Sequence, residues 1–381
     1  MDQGAYSPII SGEVRWSDNG QFCYFHPTLL PIDFEIDEAM HRRIDSAMVT
    51  LGRLDGKVSQ MSEGERGILT LAFTMKESAL SSAIEGTGTT MTDLYRSSKV
   101  AEKDPVKAAD NLEVNNYRRA LDLGLSFVES RGDITEDHML RMHDILMEGV
   151  RGRDKQPGRY RDDQVMVGSY GDTLETARFV PVPPAQVPWL MDNWFSYVND
   201  DAGNALVKTA LAHYQFETIH PFRDGNGRVG RLMIMLMLHR EGIFSYPVLY
   251  ISEFFNRNRT EYIDRLSGVR EKDAFSEWLD FFIKGLTTQA QSSISLIDRL
   301  AQYRKDLIAG ERNINTAKTI DLLFRNPFVR IGDISEELKI SVPAATRMIE
   351  SLEERGIIRE TTGQHRNRLY VADKILEMLE D

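Results

Sequence analysis

The densest run of chemistry-bearing residues in the chain is His220-Pro-Phe-Arg-Asp-Gly-Asn-Gly-Arg-Val-Gly-Arg231. Gly225 and Gly227 permit backbone conformations and close approaches that a Cβ would forbid. They stand just ahead of a predicted helix, whose first amide hydrogens lack intrahelical partners and whose dipole favours an anion. That combination is a phosphate cradle. Arg228 and Arg231 lie three apart on the first turn, so both guanidinium groups can reach further phosphates. Asp224 offers a hard oxygen ligand suited to Mg²⁺ bound to those phosphates. His220, with an ordinary pKa near ~6.5, suits a general base at neutral pH. The set describes activation of a nucleophile beside a nucleotide phosphate.

Two other readings compete. Gly225-Asn-Gly-Arg-Val-Gly230 matches the dinucleotide pattern G-x-G-x-x-G. That fingerprint needs a strand before it and an acidic residue ending a later strand about ~20 positions on. Here a helical LVKTALAHYQFETI and a His-Pro break precede it. The following Tyr246–Ser252 reaches no acid before Glu253 and sits in no repeated βαβ pattern. The other reading is a plain glycine-rich loop with solvated arginines. A metal-type acid, a histidine and two arginines within one loop argue against it.

The elements that must position this loop are mostly helical. Apolar spacing predicts a short helix near Asp37–Leu51, then one over Gly67–Glu85 that stops at Gly86, and a turn that Thr92 would close as the next cap. Amphipathic helices follow over Asn111–Glu129 and Ile134–Val150, the second closed at Gly152. Between Pro157 and Pro184 the helical pattern lapses, and Gln164–Val167 and Ala177–Val180 flank Gly168–Asp172 as a β-hairpin. Val187–Asn199 and Ala205–Ile219 resume as helices. Leu232–Leu238 is apolar all round, as in a buried helix. Further helices are expected over Glu261–Val269, Ala274–Leu286 and Ile294–Ile308. Past about Asn313, helices over Ala317–Arg325, Ile334–Leu338 and Val342–Arg355, with Ser341 as a cap, precede two short strands around Thr361–Gln364. That order resembles a winged helix-turn-helix.

The loop matches without exception the Fic family signature H-x-F-x-[D/E]-G-N-G-R-x-x-R, and the resemblance extends over roughly residues 60 to 290. It implies a mainly α fold: a Fic helical core with a β-hairpin flap, here followed by a C-terminal winged helix-turn-helix domain. It also implies a protein adenylyltransferase that moves AMP from ATP, with Mg²⁺, onto Ser, Thr or Tyr hydroxyls of a target protein. Carried over residue by residue, His220 takes the proton of the attacking hydroxyl and Phe222 fixes the loop in the core. Asp224 holds the metal. Gly225, Asn226 and Gly227 form the α-phosphate anion hole. Arg228 and Arg231 hold the β- and γ-phosphates, and Arg223 belongs to the same nucleotide-binding loop. The hairpin around residues 165–179 resembles a flap that docks a protein substrate as an added strand. Arg257 and Tyr262 are candidates for the adenine.

Upstream, Ser81-Ser-Ala-Ile-Glu85-Gly86 matches the family's inhibitory pattern [S/T]-x-x-x-E-[G/N]. Ser81 and Glu85 share a helix face. Glu85 falls in the last turn, where a carboxylate opposes the helix dipole by ~0.3–1 kcal/mol and gains from a cationic partner. The resemblance implies that the partner is Arg231, withdrawn in this way from the γ-phosphate. In some relatives the same glutamate helps to hydrolyse AMP off the target, so a de-AMPylase is the first alternative.

In the C-terminal domain Arg347, Arg355, Arg359, His365, Arg366 and Arg368 are interleaved with Glu350, Glu353, Glu354 and Glu360, so no strong basic face emerges. DNA is a candidate partner, and a DNA-binding regulator with an inactive core is the second alternative. Winged helices also serve in protein interaction and dimerisation, so a homodimer is a further expectation.

Composition bounds the rest. The chain has 381 residues, 41% hydrophobic and 27% charged, which suits two or three domains with ordinary cores. A net charge of −12 argues against broad nucleic-acid affinity. No apolar run approaches the ~20 residues that span a bilayer, and no signal peptide is read at the start, so the expectation is a cytoplasmic protein without membrane partners. The single cysteine, Cys23, excludes a disulfide framework and a multi-cysteine zinc site. His213, seven residues before His220, is expected to pack or cap. The expected organisation is an N-terminal extension (1–60), an inhibitory helix region (61–110), a catalytic core (111–290), a helical linker (291–312) and the winged helix (313–381).

Overall fold

The structure, a computed structural model, describes all residues except 2, 129–131, 151–153, 170 and 381. The expected helix end at Glu129 and the centre of the flap at Tyr170 lie outside the described residues, as does Gly152, but the helix expected to run to Val150 already ends at Leu146. Near its start the chain forms an antiparallel hairpin of β1 (Gly12–Trp16) and β2 (Cys23–Pro27). Helices α1 (Glu38–Ser59), α2 (Glu63–Ile84), α3 (Met91–Ser97), α4 (Pro105–Val128) and α5 (Glu136–Leu146) follow. Next come α6 (Val187–Asn199), α7 (Ala205–Ile219), α8 (Asn226–Arg240), α9 (Ser252–Arg257), α10 (Arg259–Lys272) and α11 (Phe275–Ile308).

Helix α8 is the axis of the core. Its side chains from Val229 to Leu238 are buried all round, as the apolar run requires, and it packs against α7, α4 and α5. α2 lies across α4 and α9, so its last turn reaches the N-terminal end of α8. Its start is fixed by a capping box between Ser62 and Glu65. The cap of α3 is Thr90, not Thr92: Thr90 closes a capping box with Asp93, while Thr92 donates through its backbone and hydroxyl to Glu380.

Two expected helices fuse into α11. The polar stretch Thr287–Ser293 reads as a break, yet it holds no proline or glycine. Its inward Gln289 has polar partners, donating to Tyr250 O and Glu253. Among the described residues the flap is closed by one bridge, Val167 pairing with Phe179 through N–H···O bonds of 2.8 and 3.0 Å.

The C-terminal unit has α12 (Ile314–Arg325), β3 (Phe328–Val329), α13 (Ile331–Glu337), α14 (Val342–Glu354), β4 (Arg359–Glu360), β5 (Tyr370–Val371) and α15 (Asp373–Glu380). The strands form a small antiparallel sheet in the order β3-β5-β4, the wing beside α14. The N-cap of α14 is Ser341, although its side chain makes no capping bond. Among the described residues, no helix is long and apolar enough to cross a membrane.

Candidate active site

The loop begins where α7 stops. His220 takes a left-handed conformation (φ 53°, ψ 61°), because Pro221 cannot continue the helix, and the chain turns to α8 within six residues. Asn226 closes that turn: its Oδ1 accepts from Phe222 N and its Nδ2 donates to Phe222 O, both at 2.8 Å. Phe222 is fully buried and stacks on His143 with ring centroids 3.9 Å apart. His143 Nδ1 accepts from Gly158 N at 2.9 Å, which leaves Nε2–H to donate to Asp224 O at 3.1 Å. Gly225 caps α8 in the left-handed region (φ 79°), where a side chain would be strained.

These contacts fix the turn that starts α8 within six residues of His220. A Cβ at Gly227 would come within 2.3 Å of Glu85 Oε1 and 2.8 Å of Arg231 Nη1, so a carboxylate rests against the bare glycine backbone. The carboxylate thus stands beside the start of α8, where the helix dipole favours an anion. Arg228 is buried and pairs with Glu113 at 2.7 Å. Asp224 Oδ1 accepts from Gly225 N at 2.6 Å and lies 3.5 Å from Arg228, and its side chain is 43% open to solvent. One accessible carboxylate beside an anion cradle fits a magnesium bound mainly by phosphate oxygens and water. Among the described residues no group of three or more His, Cys, Asp or Glu could hold a metal ion, and such a magnesium needs none. Arg223 is committed outward, to Asp162 and Asp163 at 2.7 Å each.

His220 is partly exposed, and among the described residues its Nδ1 has no hydrogen-bond partner. Desolvation, then the nearby Arg161 guanidinium, lowers its pKa to about 4. The imidazole is thus neutral at physiological pH and can receive a proton.

Arg231 is 1% exposed and is held from α2. Its Nε donates to Ser81 Oγ at 2.8 Å, and its Nη2 donates to Ser81 O at 3.0 Å and to Glu85 Oε1 at 2.7 Å. Gly86 follows Glu85 with φ 98°, a turn that favours glycine. Burial raises the Glu85 pKa, but the Arg231 guanidinium outweighs it and holds the carboxyl below its ordinary value. On the other side of Arg231, Tyr262 is buried, and its hydroxyl lies 2.7 Å from His213 Nε2. His213 Nδ1 faces Gly230 O at 3.2 Å, so it donates there, and Nε2 accepts a hydrogen bond from the Tyr262 hydroxyl. His213 is a packed, bonded histidine. Arg257, by contrast, is 67% exposed and paired with Glu253.

Sequence reasoning passed over Glu113, His143, Arg161 and Glu217. Glu217 lies against Gly230, and burial, partly offset by Arg231, raises its pKa to about 7. Their positions on amphipathic helices or in a loop carry no local pattern, and only the assembled core brings them to the site.

A helical body presenting an anion cradle, with a carboxylate from a second helix seated in it, defines the class of site. Comparison with known proteins supplies the family. Residues 133–238 match the Fic/DOC family, residues 41–126 its N-terminal unit, and residues 312–359 a winged helix-turn-helix DNA-binding family. The chain belongs to the Fic/DOC family. It is similar to the protein adenylyltransferase Fic of Drosophila grimshawi, 29% identical over 193 residues that make up 49% of this chain and 36% of that protein. It is 28% identical over 169 residues to the protein adenylyltransferase fic-1 of Caenorhabditis elegans, covering 42% and 30% of the two chains. The chain spans about a third of the length of these curated relatives. Among solved structures, a Fic family protein from Desulfovibrio desulfuricans G20 superposes with a TM-score of 0.57 at 20% identity, covering 89% of this chain and 97% of that one. A Fic domain containing signaling protein from Bacteroides thetaiotaomicron VPI-5482 gives 0.55 at 17% identity, covering 67% and 97%. These two likenesses establish the fold alone.

Proposed function

We propose that this protein transfers AMP from ATP to a hydroxyl side chain of a protein target and that Glu85 restrains it. The observation that carries the reading is a neutral histidine beside a helix-terminal anion cradle whose inner arginine is engaged by a carboxylate from α2. The names of the curated relatives support the choice of AMP.

In this mechanism the target hydroxyl oxygen attacks the α-phosphorus while its proton passes to the His220 imidazole. The bond from the α-phosphorus to the bridging oxygen breaks, and pyrophosphate leaves. The backbone of Gly225–Gly227 faces the charge that develops on the α-phosphate, where fixed dipoles act most strongly. Arg228, fixed by Glu113, and Arg231, once free of Glu85, hold the outer phosphates. Asp224 would hold a magnesium, which supplies neutralising charge at the phosphates. The flap at residues 165–179 offers an edge for an extended target segment.

Removal of AMP by water at the same site is the second reading, favoured by the electrostatic reach of Glu85 to His220. Duplex DNA is compatible with the winged helix. Its basic surface is reduced, because Arg355 pairs with Glu311 and Arg359 with Asp373, leaving Arg347, His365, Arg366 and Arg368 exposed.

The test is label transfer from α-labelled ATP with Mg²⁺, in lysate and on the purified chain. Glu85→Gly is expected to place label on protein, and Glu85→Gly with His220→Ala is expected to place none. Absence of label with Glu85→Gly, although ATP binds, would overturn the transfer reading.

A further inference from the structure

Arg161 stands outside the glycine-rich loop, in the connection that leads into the flap, and is 2% exposed. Its guanidinium is spread over four carbonyls. Nε donates to His220 O at 2.9 Å, Nη2 to Val182 O at 2.5 Å and Ile219 O at 3.4 Å, and Nη1 to Asp163 O at 3.2 Å. Its backbone N–H donates to Pro221 O at 3.0 Å. Burying a guanidinium among neutral acceptors is costly, and desolvation lowers its pKa to about 10, which still leaves it charged at neutral pH.

The reason for a cation here lies in the end of α7. The last carbonyls of a helix have no intrahelical partner and carry the negative end of its dipole. Pro221 brings no N–H to help satisfy them. Arg161 takes the carbonyls of Ile219 and His220 and so holds the left-handed residue that carries the imidazole. Its other two contacts are the residues where the flap leaves the core, Asp163, and returns to it, Val182. One side chain therefore joins both arms of the flap to the His220 backbone. A lysine could supply the charge but not the planar fork.

We propose that Arg161 is a positioning residue that locks His220 and the base of the substrate flap into one unit. The proposal rests on His220 acting as the base, but its first test does not need the reaction. The charged groups that act on His220 are Arg161, Glu85 on α2 and Arg270 on α10, and the Glu217 carbonyl on α7 faces the ring.

The experiment uses the full chain with ¹³C-labelled histidine, His220 being assigned by the signal lost in His220→Ala, titrated from about pH 8 down to about pH 4.5. In the wild-type chain His220 stays neutral across most of that range. Arg161→Gln is expected to raise its midpoint by about one unit, and Arg161→Lys to leave it in place. Hydrogen exchange at residues 164–167 and 179–182 is expected to be about tenfold faster in both variants, because neither bridges the two arms. In the Glu85→Gly background, Arg161→Gln is expected to lower label transfer about tenfold. A folded Arg161→Gln chain with unchanged His220 titration and unchanged flap exchange would overturn the proposal. If Arg161→Gln does not fold, Arg161→Lys decides, since unchanged flap exchange in that variant overturns it equally. Absence of transfer in Glu85→Gly alone counts against the AMP reading and leaves the titration and exchange results standing.

Discussion

Loss of the Glu85 carboxylate is the perturbation whose size can be worked out most directly. Glu85 gives Arg231 one charge-assisted hydrogen bond of 2.7 Å, from a side chain that is 40% exposed to one that is 1% exposed. Such a bond contributes about 1.5–3 kcal/mol. Seating a carboxylate at the start of α8 adds about 0.3–1 kcal/mol, offset by the like-signed dipole at the end of α2 and by solvent screening on the Glu85 side. A net of about 2–3 kcal/mol corresponds to a ~30–150-fold change in the ATP-competent population.

Glu85→Gly and Glu85→Ala are therefore both expected to raise initial label transfer at subsaturating ATP by ~30–150-fold. Glu85→Gln keeps the shape without the charge, and a rise of a few fold is expected. Because the folded pKa of Glu85 is depressed, the ion pair contributes fully above the ordinary glutamate range and is lost only as pH falls through that lower value. The wild-type rate should therefore stay low across pH 6 to 8, with no release in that window. Equal initial rates in wild type and Glu85→Gly, in a preparation whose transfer is abolished by His220→Ala, would refute the reasoning.

Three further outcomes follow from the same geometry. Glu113→Ala strands the buried Arg228 charge and is expected to lower the unfolding free energy by about 3–5 kcal/mol, read by denaturant melts, and to weaken ATP binding by calorimetry. Gly227→Ala puts a methyl where Glu85 Oε1 now rests, so ATP binding should fall whether residue 85 is Glu or Gly. ATP binding as tight as in the parent would show that the cradle lies elsewhere. Glu217 has a folded pKa raised to about 7, so wild-type stability declines as pH climbs from the ordinary glutamate range to that value and then levels off. Glu217→Gln removes that slope, and its gain in Tm over wild type should be larger at about pH 8 than at about pH 5.

What could be read in the sequence was what is local. Twelve adjacent positions hold the loop, and six hold the brake, because the turn at Gly225 and the i, i+4 face of Ser81 and Glu85 are decided by neighbours in the chain. Local sequence patterns likewise located α6 and α7, and an unbroken apolar run located the body of α8. The residues that were not legible act across long separations. Glu113 meets Arg228 from α4, and Arg161 reaches α7 from the flap connection. Arg161, one of two arginines in Pro157–Gln164, carries no sign in the sequence that its partners are carbonyls. The polar stretch inside α11 misled because Gln289 and Ser293 look solvated but face the core, Gln289 bonded to Tyr250 and Glu253.

The same long-range contacts explain why a brake on so short a segment can work. Only one of the three bonds from α2 to Arg231 comes from Glu85; the other two come from Ser81. Ser81 is in turn held by a helix that does not slide. One turn earlier Glu77, 1% exposed, accepts from the Tyr117 hydroxyl of α4 and from both the backbone N–H and the hydroxyl of Ser252 at the start of α9. Pulling α2 away would strand that carboxylate in the core, at a cost of several kcal/mol. Unwinding the chain after Ser82 gives up the partly exposed Glu85 ion pair, the Arg259 Nε bond to Ile84 O and the cap bonds to Ser82 O and Ala83 O, and leaves Arg231 aimed by Ser81. The cheaper motion is the one that frees the arginine while keeping it in place, so in the proposed mechanism α2 is the scaffold of the site and only the segment after Ser82 is the brake.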